Sequence, residues 1–188
     1  MAGLKLSPID RQLIEELLEA NALQSVNEHL LDQRNGAITV TCADGDQFPD
    51  VFWQHTKFQQ TQRQNPRIHA LSWHGGALAC APCSPVNKIK RADSVFMEQI
   101  ADAREIKGID LVALYVHGPC GAAYRKRLNI AQVLAHQHRA KRKVETLNHG
   151  VQAASFLHID YGDKKRTYFV SRKNWEAWAQ AKRVRMIA

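Results

Sequence analysis

Two short apolar runs each end in metal-binding side chains, and that pairing constrains the fold of this chain more than any other feature. Ala37-Ile-Thr-Val-Thr41 leads into Cys42-Ala-Asp44-Gly-Asp46, and Leu111-Val-Ala-Leu-Tyr-Val116 leads into His117-Gly-Pro-Cys120-Gly121. Apolar runs of this length, bounded by Gly, Pro and Asp, read as buried strands. If the two are parallel neighbours, their carboxyl ends bring Cys42, His117 and Cys120 together, at the edge where open α/β sheets gather ligands. Two thiolates and an imidazole suit Zn2+, with Asp44 placed to complete or guard the fourth position.

The rest of the chain alternates between helical and strand patterns. Ser7 and Pro8 open an N-terminal helical segment, with a break near Asn21, whose stripe of Leu13, Ile14, Leu17, Leu18, Leu23 and Val26 should end before Gly36. Residues 48–62, 93–107 and 121–148 read as helices, and 68–73, 110–116 and 154–159 as strands. Gly162-Asp163 turns into a hairpin partner at 167–170, and the last 16 or so residues look helical. The fold class is α/β: a mainly parallel central sheet flanked by helices, with a C-terminal hairpin and helix. At 188 residues a single zinc-binding domain is expected (1–188), with a helical arm at 1–34, a core at 35–170 and a basic C-terminal helix at 171–188.

Charge is unevenly spread. The net charge is +8, but residues 1–120 hold 11 Lys and Arg against 14 Asp and Glu, whereas residues 121–188 hold 15 against 4. Arg125-Lys-Arg127, Arg139 to Lys143, Lys164-Lys-Arg166 and Lys182-Arg-Val-Arg185 make up the basic half. Such a surface serves solubility first, and is also able to attract nucleic acid or an acidic partner. The absence of a long apolar run or a signal-peptide pattern points to a cytoplasmic protein without membrane contact. Four cysteines in that setting are thiols or metal ligands rather than disulfides.

Competing motifs are weaker. Cys80-Ala-Pro-Cys83 with His117 and Cys120 would make a four-ligand structural zinc site, leaving Cys42 as a buried thiol. The same Cys80 and Cys83 have the spacing of a redox pair, but no helix opens there. A zinc deaminase would need His-x-Glu upstream of its cysteines, which is absent. Ser72 and Ser84 lack a nucleophile pattern, and there is no Gly-rich phosphate loop. The pairs Trp175/Trp178 and Phe156/Tyr161/Tyr168 read as core or dimer contacts before a base-stacking platform.

The motifs and their order resemble the beta-class carbonic anhydrases over roughly residues 35–170. That family carries Cys-x-Asp-x-Arg after its first strand and His-x-x-Cys-Gly after its third. Here these read Cys42-Ala-Asp44-Gly-Asp46 and His117-Gly-Pro-Cys120-Gly121. The resemblance implies zinc on Cys42, His117 and Cys120, with Asp44 as fourth ligand or as the residue that orients the zinc-bound hydroxide. It implies reversible hydration of CO2 to bicarbonate, with the Gly121 amide steadying the developing charge, and a homodimer or higher homo-oligomer with N-terminal helices packed across partners. Two positions depart from the family. Asp46 stands where the arginine that draws Asp44 off the metal should be, and Arg63, Arg67 or a lysine would have to replace it in space. His74 stands in the family's Arg-Asn-Ala-Gly turn and has the pKa range of a proton shuttle. The alternatives are another small substrate such as carbonyl sulfide, or a non-catalytic zinc-stabilised binding protein that uses its basic C-terminal half, nucleic acid being the secondary candidate there.

Overall fold

The computed structural model describes residues 4–61 and 64–183, and in it the apolar runs pair into one six-stranded sheet. The strands are β1 (Leu23–Ser25), β2 (Ala37–Cys42), β3 (Ile68–Trp73), β4 (Leu111–Gly118), β5 (Gln152–Asp160) and β6 (Lys165–Val170). Their order across the sheet is β1-β6-β5-β4-β2-β3. β3, β2, β4 and β5 are mutually parallel, and β6 and β1 add antiparallel pairs at one edge. β2 and β4 are buried along their whole length, as expected for parallel strands covered on both faces.

The helices are α1 (Pro8–Glu19), α2 (Phe48–Gln60), α3 (Ala92–Lys107), α4 (Gly121–Arg125), α5 (Ile130–Leu147) and α6 (Arg172–Ala181). Side-chain alternation along each strand sends the two faces into separate cores. Ile38, Val40, Val112, Leu114, Val116 and Leu157 join the larger core with residues of α1, α3, α5 and α6. Ala37, Leu111, Ala113, Tyr115 and Phe156 face the smaller core, where α2 contributes Val51. A short 3-10 turn, Gly76–Cys80, is buried throughout and packs against α3 and α5. Its small residues Gly76, Ala77 and Ala79 suit a segment confined between helices and sheet.

The N-terminal segment departs from the sequence reading. Ser7 caps α1 through the backbone N–H of Asp10, and Asp10 in turn accepts from Ile130 N at 2.9 Å, tying the start of α1 to the start of α5. The break expected near Asn21 is present, since the helix stops at Glu19 and Asn21 takes a left-handed φ of 53°, but no helix resumes after it. Leu23, expected on the helical stripe, instead belongs to β1 and pairs with Val170 of β6. Ile14 and Leu17 are buried in the chain's own core rather than left for a partner subunit. The helical reading of 121–148 also breaks: Arg127 is left-handed, and Asn129 starts α5 with a capping box closed by Gln132. Trp175 and Trp178 of α6 are core residues. Arg63, and Arg185 of the last basic run, lie outside the described residues. Among the described residues no helix is long and apolar enough to cross a membrane.

Two buried histidines give the fold a pH dependence. His55 of α2 receives the Tyr115 hydroxyl at 2.7 Å, and burial holds its pKa down at about 4. His138 of α5 stacks on Trp175 with ring centroids 4.2 Å apart, and burial, helped by Lys141, Arg172 and Arg142, lowers it to about 3. Both are neutral when folded and protonate only after unfolding, where histidine titrates near 6.5. Stability is therefore complete above about pH 6.5 and falls as pH drops from there toward 4, by roughly 1.4 kcal/mol per pH unit for each histidine. Denaturant titrations between pH 7 and 4.5 should show this slope, and a His55→Asn, His138→Gln double variant should lose the share these two rings supply, leaving that of His158 and His136, which burial also lowers. An unchanged slope in the double variant would show that these rings are not the source.

Candidate metal centre

The parallel register sets the first two ligands. Ile38, Thr39 and Val40 of β2 lie opposite Val112, Ala113 and Leu114 of β4, so both strands end at the same level of the sheet. Cys42 closes β2 on the side of the larger core, and His117, one residue beyond Val116, points by alternation toward the smaller one. The chain then turns through Gly118 and Pro119 and brings Cys120 back as the residue that opens α4. The Sγ atoms of Cys42 and Cys120 and a ring nitrogen of His117 lie within 4.8 Å of one another, and all three residues are buried. A tetrahedral zinc with Zn–S of about 2.3 Å needs its sulfurs roughly 3.8 Å apart, so a small movement closes the set.

The electrostatics suit a cation. The Cys120 thiol is driven well below its ordinary range, foremost by a hydrogen bond from the Cys42 thiol, with His117 and the Ala123 backbone N–H adding to it. Cys42 is pushed up by the Cys120 thiolate and by burial, so in the absence of a metal the pair shares one proton. Burial opposes charge on His117, but the Cys120 thiolate and the Asp44 carboxylate outweigh it and its pKa rises. Both ring nitrogens of His117 are buried, and among the described residues neither makes a hydrogen bond of good geometry, the Cys120 sulfur being the nearest partner in play. Leaving such atoms unpaired is costly, and a soft divalent cation between two sulfurs is a partner that fits.

Asp44 stands at the rim of this cluster. Its Oδ1 accepts from the Asp46 N–H at 3.0 Å, forming a tight turn, and its Oδ2 is 3.9 Å from His117 Nε2. The position of the missing arginine is not filled from elsewhere among the described residues. Asp46 is exposed. Arg67 lies before the amino end of β3 and reaches the Asn35 carbonyl at 3.4 Å. Lys165 crosses from β6, but its ammonium is held by Asp50 at 2.5 Å and by the Asp46 carbonyl at 2.7 Å. Gly121 is the first residue of α4, with its amide next to Cys120. His74 is exposed and lines a neighbouring cleft rather than the space beside Cys42 and His117. The rival four-ligand set does not assemble: Cys80 is buried, Cys83 is exposed, and neither joins the cluster.

Three contributions were not visible in the sequence reading. Gly75 donates its N–H to Cys42 Sγ at 3.2 Å. Gln47 lines a void of about 10 Å3 with Cys42, Phe48, Tyr115 and His117, large enough for about one water. His158 of β5 lies beside His117 across the strand pair and is hydrogen-bonded to Thr167 at 2.9 Å. The Gly-Gly turn was the one signal available for the first, whereas the other two depend on packing and register.

No protein-family model matches the chain, and no curated protein matches it. Solved structures similar to it include the following two. One, from Trichomonas vaginalis, shares 14% identity over 88% of this chain and 99% of its own, with a TM-score of 0.38. The other, from Aspergillus fumigatus, shares 14% identity over 90% of this chain and 89% of its own, with a TM-score of 0.39. Both are beta-carbonic anhydrases. This is the family that the two motifs resemble.

The close passage of Gly76 over the site gives a direct test of its construction. A Cβ there would stand 2.6 Å from the Tyr115 carbonyl and 2.8 Å from the Cys42 nitrogen, at a φ of +57°. Gly76→Ala should lower folding stability by about 2 kcal/mol or more in denaturant titration. A loss under about 0.5 kcal/mol would mean that the backbones do not approach this closely.

Proposed function

We propose that this chain acts as a single zinc-binding α/β domain that hydrates CO2 reversibly to bicarbonate. The observation that carries the reading is the convergence of Cys42, His117 and Cys120 with Asp44 at their edge. Bound zinc would act as a Lewis acid that brings the pKa of a coordinated water to about 7. The protein's own part is positioning. Gly75 N–H holds the Cys42 sulfur, and the turn before α4 fixes Cys120. Asp44 Oδ2 is near enough to take the fourth position or to accept a hydrogen bond from its occupant. With no arginine to draw it away, Asp44 would be free to take the fourth position on a bound metal, and turnover would then require it to move aside. The Gly121 amide, at the start of α4 beside Cys120, would serve as a backbone donor to a developing carboxylate. The water-sized void beside Cys42 and His117 favours a small, linear substrate over a bulky one.

The reading is tested by stopped-flow CO2 hydration on zinc-loaded protein from pH 6.5 to 9. Hydration is expected, with Cys120→Ser losing zinc and activity together. Asp44→Asn should keep zinc and lose roughly a hundredfold in kcat/KM. One zinc per chain with no hydration at any pH would overturn the reaction while leaving the metal centre standing.

A further inference from the structure

Several lysines and arginines of this chain have acidic partners. Lys143 pairs with Asp93, Lys165 with Asp50, Arg104 with Asp110, Arg172 with Glu176 and Lys182 with Glu16. A different situation holds in a cleft of about 550 Å3 whose walls include Trp73, His74, Lys88, Ile89, Arg125 and Lys126. No carboxylate lines it, and among the described residues Lys88, Arg125 and Lys126 take part in no ion pair. Two basic stretches far apart in sequence, Lys88-Ile-Lys-Arg91 and Arg125-Lys-Arg127, converge on this place. Lys90, Arg91 and Arg127 are exposed and carry the positive surface on past the cleft.

The aromatic wall is fixed in advance. Trp73 is the last residue of the edge strand β3 and is 42% exposed. Its ring meets buried Phe96 edge to face, with centroids 6.3 Å apart and planes at 89°. It also divides the basic cleft from an apolar slot of about 270 Å3 formed with Leu71, Val95 and Phe96. A tryptophan held this way loses little freedom when a planar ring stacks on it.

A small inorganic anion would use the cations and ignore Trp73. An apolar partner would use Trp73 and the slot, and would leave three unpaired charges facing it. A nucleotide unit uses both, by base stacking and phosphate pairing. The basic stretches that run on beyond the cleft offer positions for further phosphates, which a lone nucleotide would not fill. We propose that the Trp73 cleft binds single-stranded nucleic acid, one base stacking on Trp73 and the flanking phosphates meeting Lys88, Arg125 and Lys126. No candidate metal ligand lines the cleft, so the proposal stands apart from the zinc reading.

The test is fluorescence anisotropy of a labelled ten-nucleotide deoxythymidine strand with the full chain, across a salt series. Three phosphate contacts predict a slope of log K against log salt of about −2, at roughly −0.7 per contact on a single strand. Trp73→Ala should weaken binding roughly tenfold or more. Arg125→Glu with Lys126→Glu should weaken it at least as much and flatten the slope by about 1.4. Lys164→Glu with Lys173→Glu removes the same charge elsewhere and should have a much smaller effect. Equal losses in the two charge-reversed proteins would overturn the proposal, because only the overall positive charge would then be acting. So would an unchanged affinity in Trp73→Ala, or a thymidine monophosphate that binds as tightly as the strand.

Discussion

The candidate metal centre depends on one constraint, the parallel pairing of β2 with β4. Because the two strands run in the same direction and in fixed register, the loops that leave them emerge together at one edge of the sheet. A slip by one residue would send Cys42 to the opposite face and break the cluster. The register is itself held by burial, since both strands are enclosed on both faces and each apolar residue has a core to enter. Hydrophobic packing thus decides where the soft ligands meet, although none of its residues touches a metal.

The second structural condition is the tight passage of the chain at Gly75 and Gly76. There the backbone crosses the ends of β2 and β4 and turns down into the buried Gly76–Cys80 segment. The same passage supplies the N–H that holds the Cys42 sulfur. On its outer side, Val86 and Ala122 pack against Gly75, and both belong to the wall of the basic cleft. The metal centre and the Trp73 cleft are therefore the two sides of one turn. Substitutions in that turn would be felt in both.

Much of this was legible in the sequence, for identifiable reasons. Strands β2 and β4 were readable because buried parallel strands are continuous apolar runs. The cluster of Cys42, His117 and Cys120 was readable because each ligand directly follows such a run. β1 was not, because Leu23 and Val26 fit a helical stripe as well as a strand, even though the break near Asn21 was readable. The division between α4 and α5 did leave one, in Asn129-x-x-Gln132, but it lay inside a long helical pattern. The neighbourhood of His117 with His158, and the convergence of Lys88 with Arg125, depend on tertiary placement that no local pattern encodes.

The most direct measurement of the central claim is zinc K-edge X-ray absorption on the zinc-loaded protein. The account predicts one zinc per chain bound by two sulfurs at about 2.3 Å and one imidazole nitrogen at about 2.0 Å, with one further light atom completing the shell. A shell of three or four sulfurs would mean that Cys80 or Cys83 is recruited. A shell without sulfur would mean that Cys42 and Cys120 are not ligands. Either result would contradict the site as described.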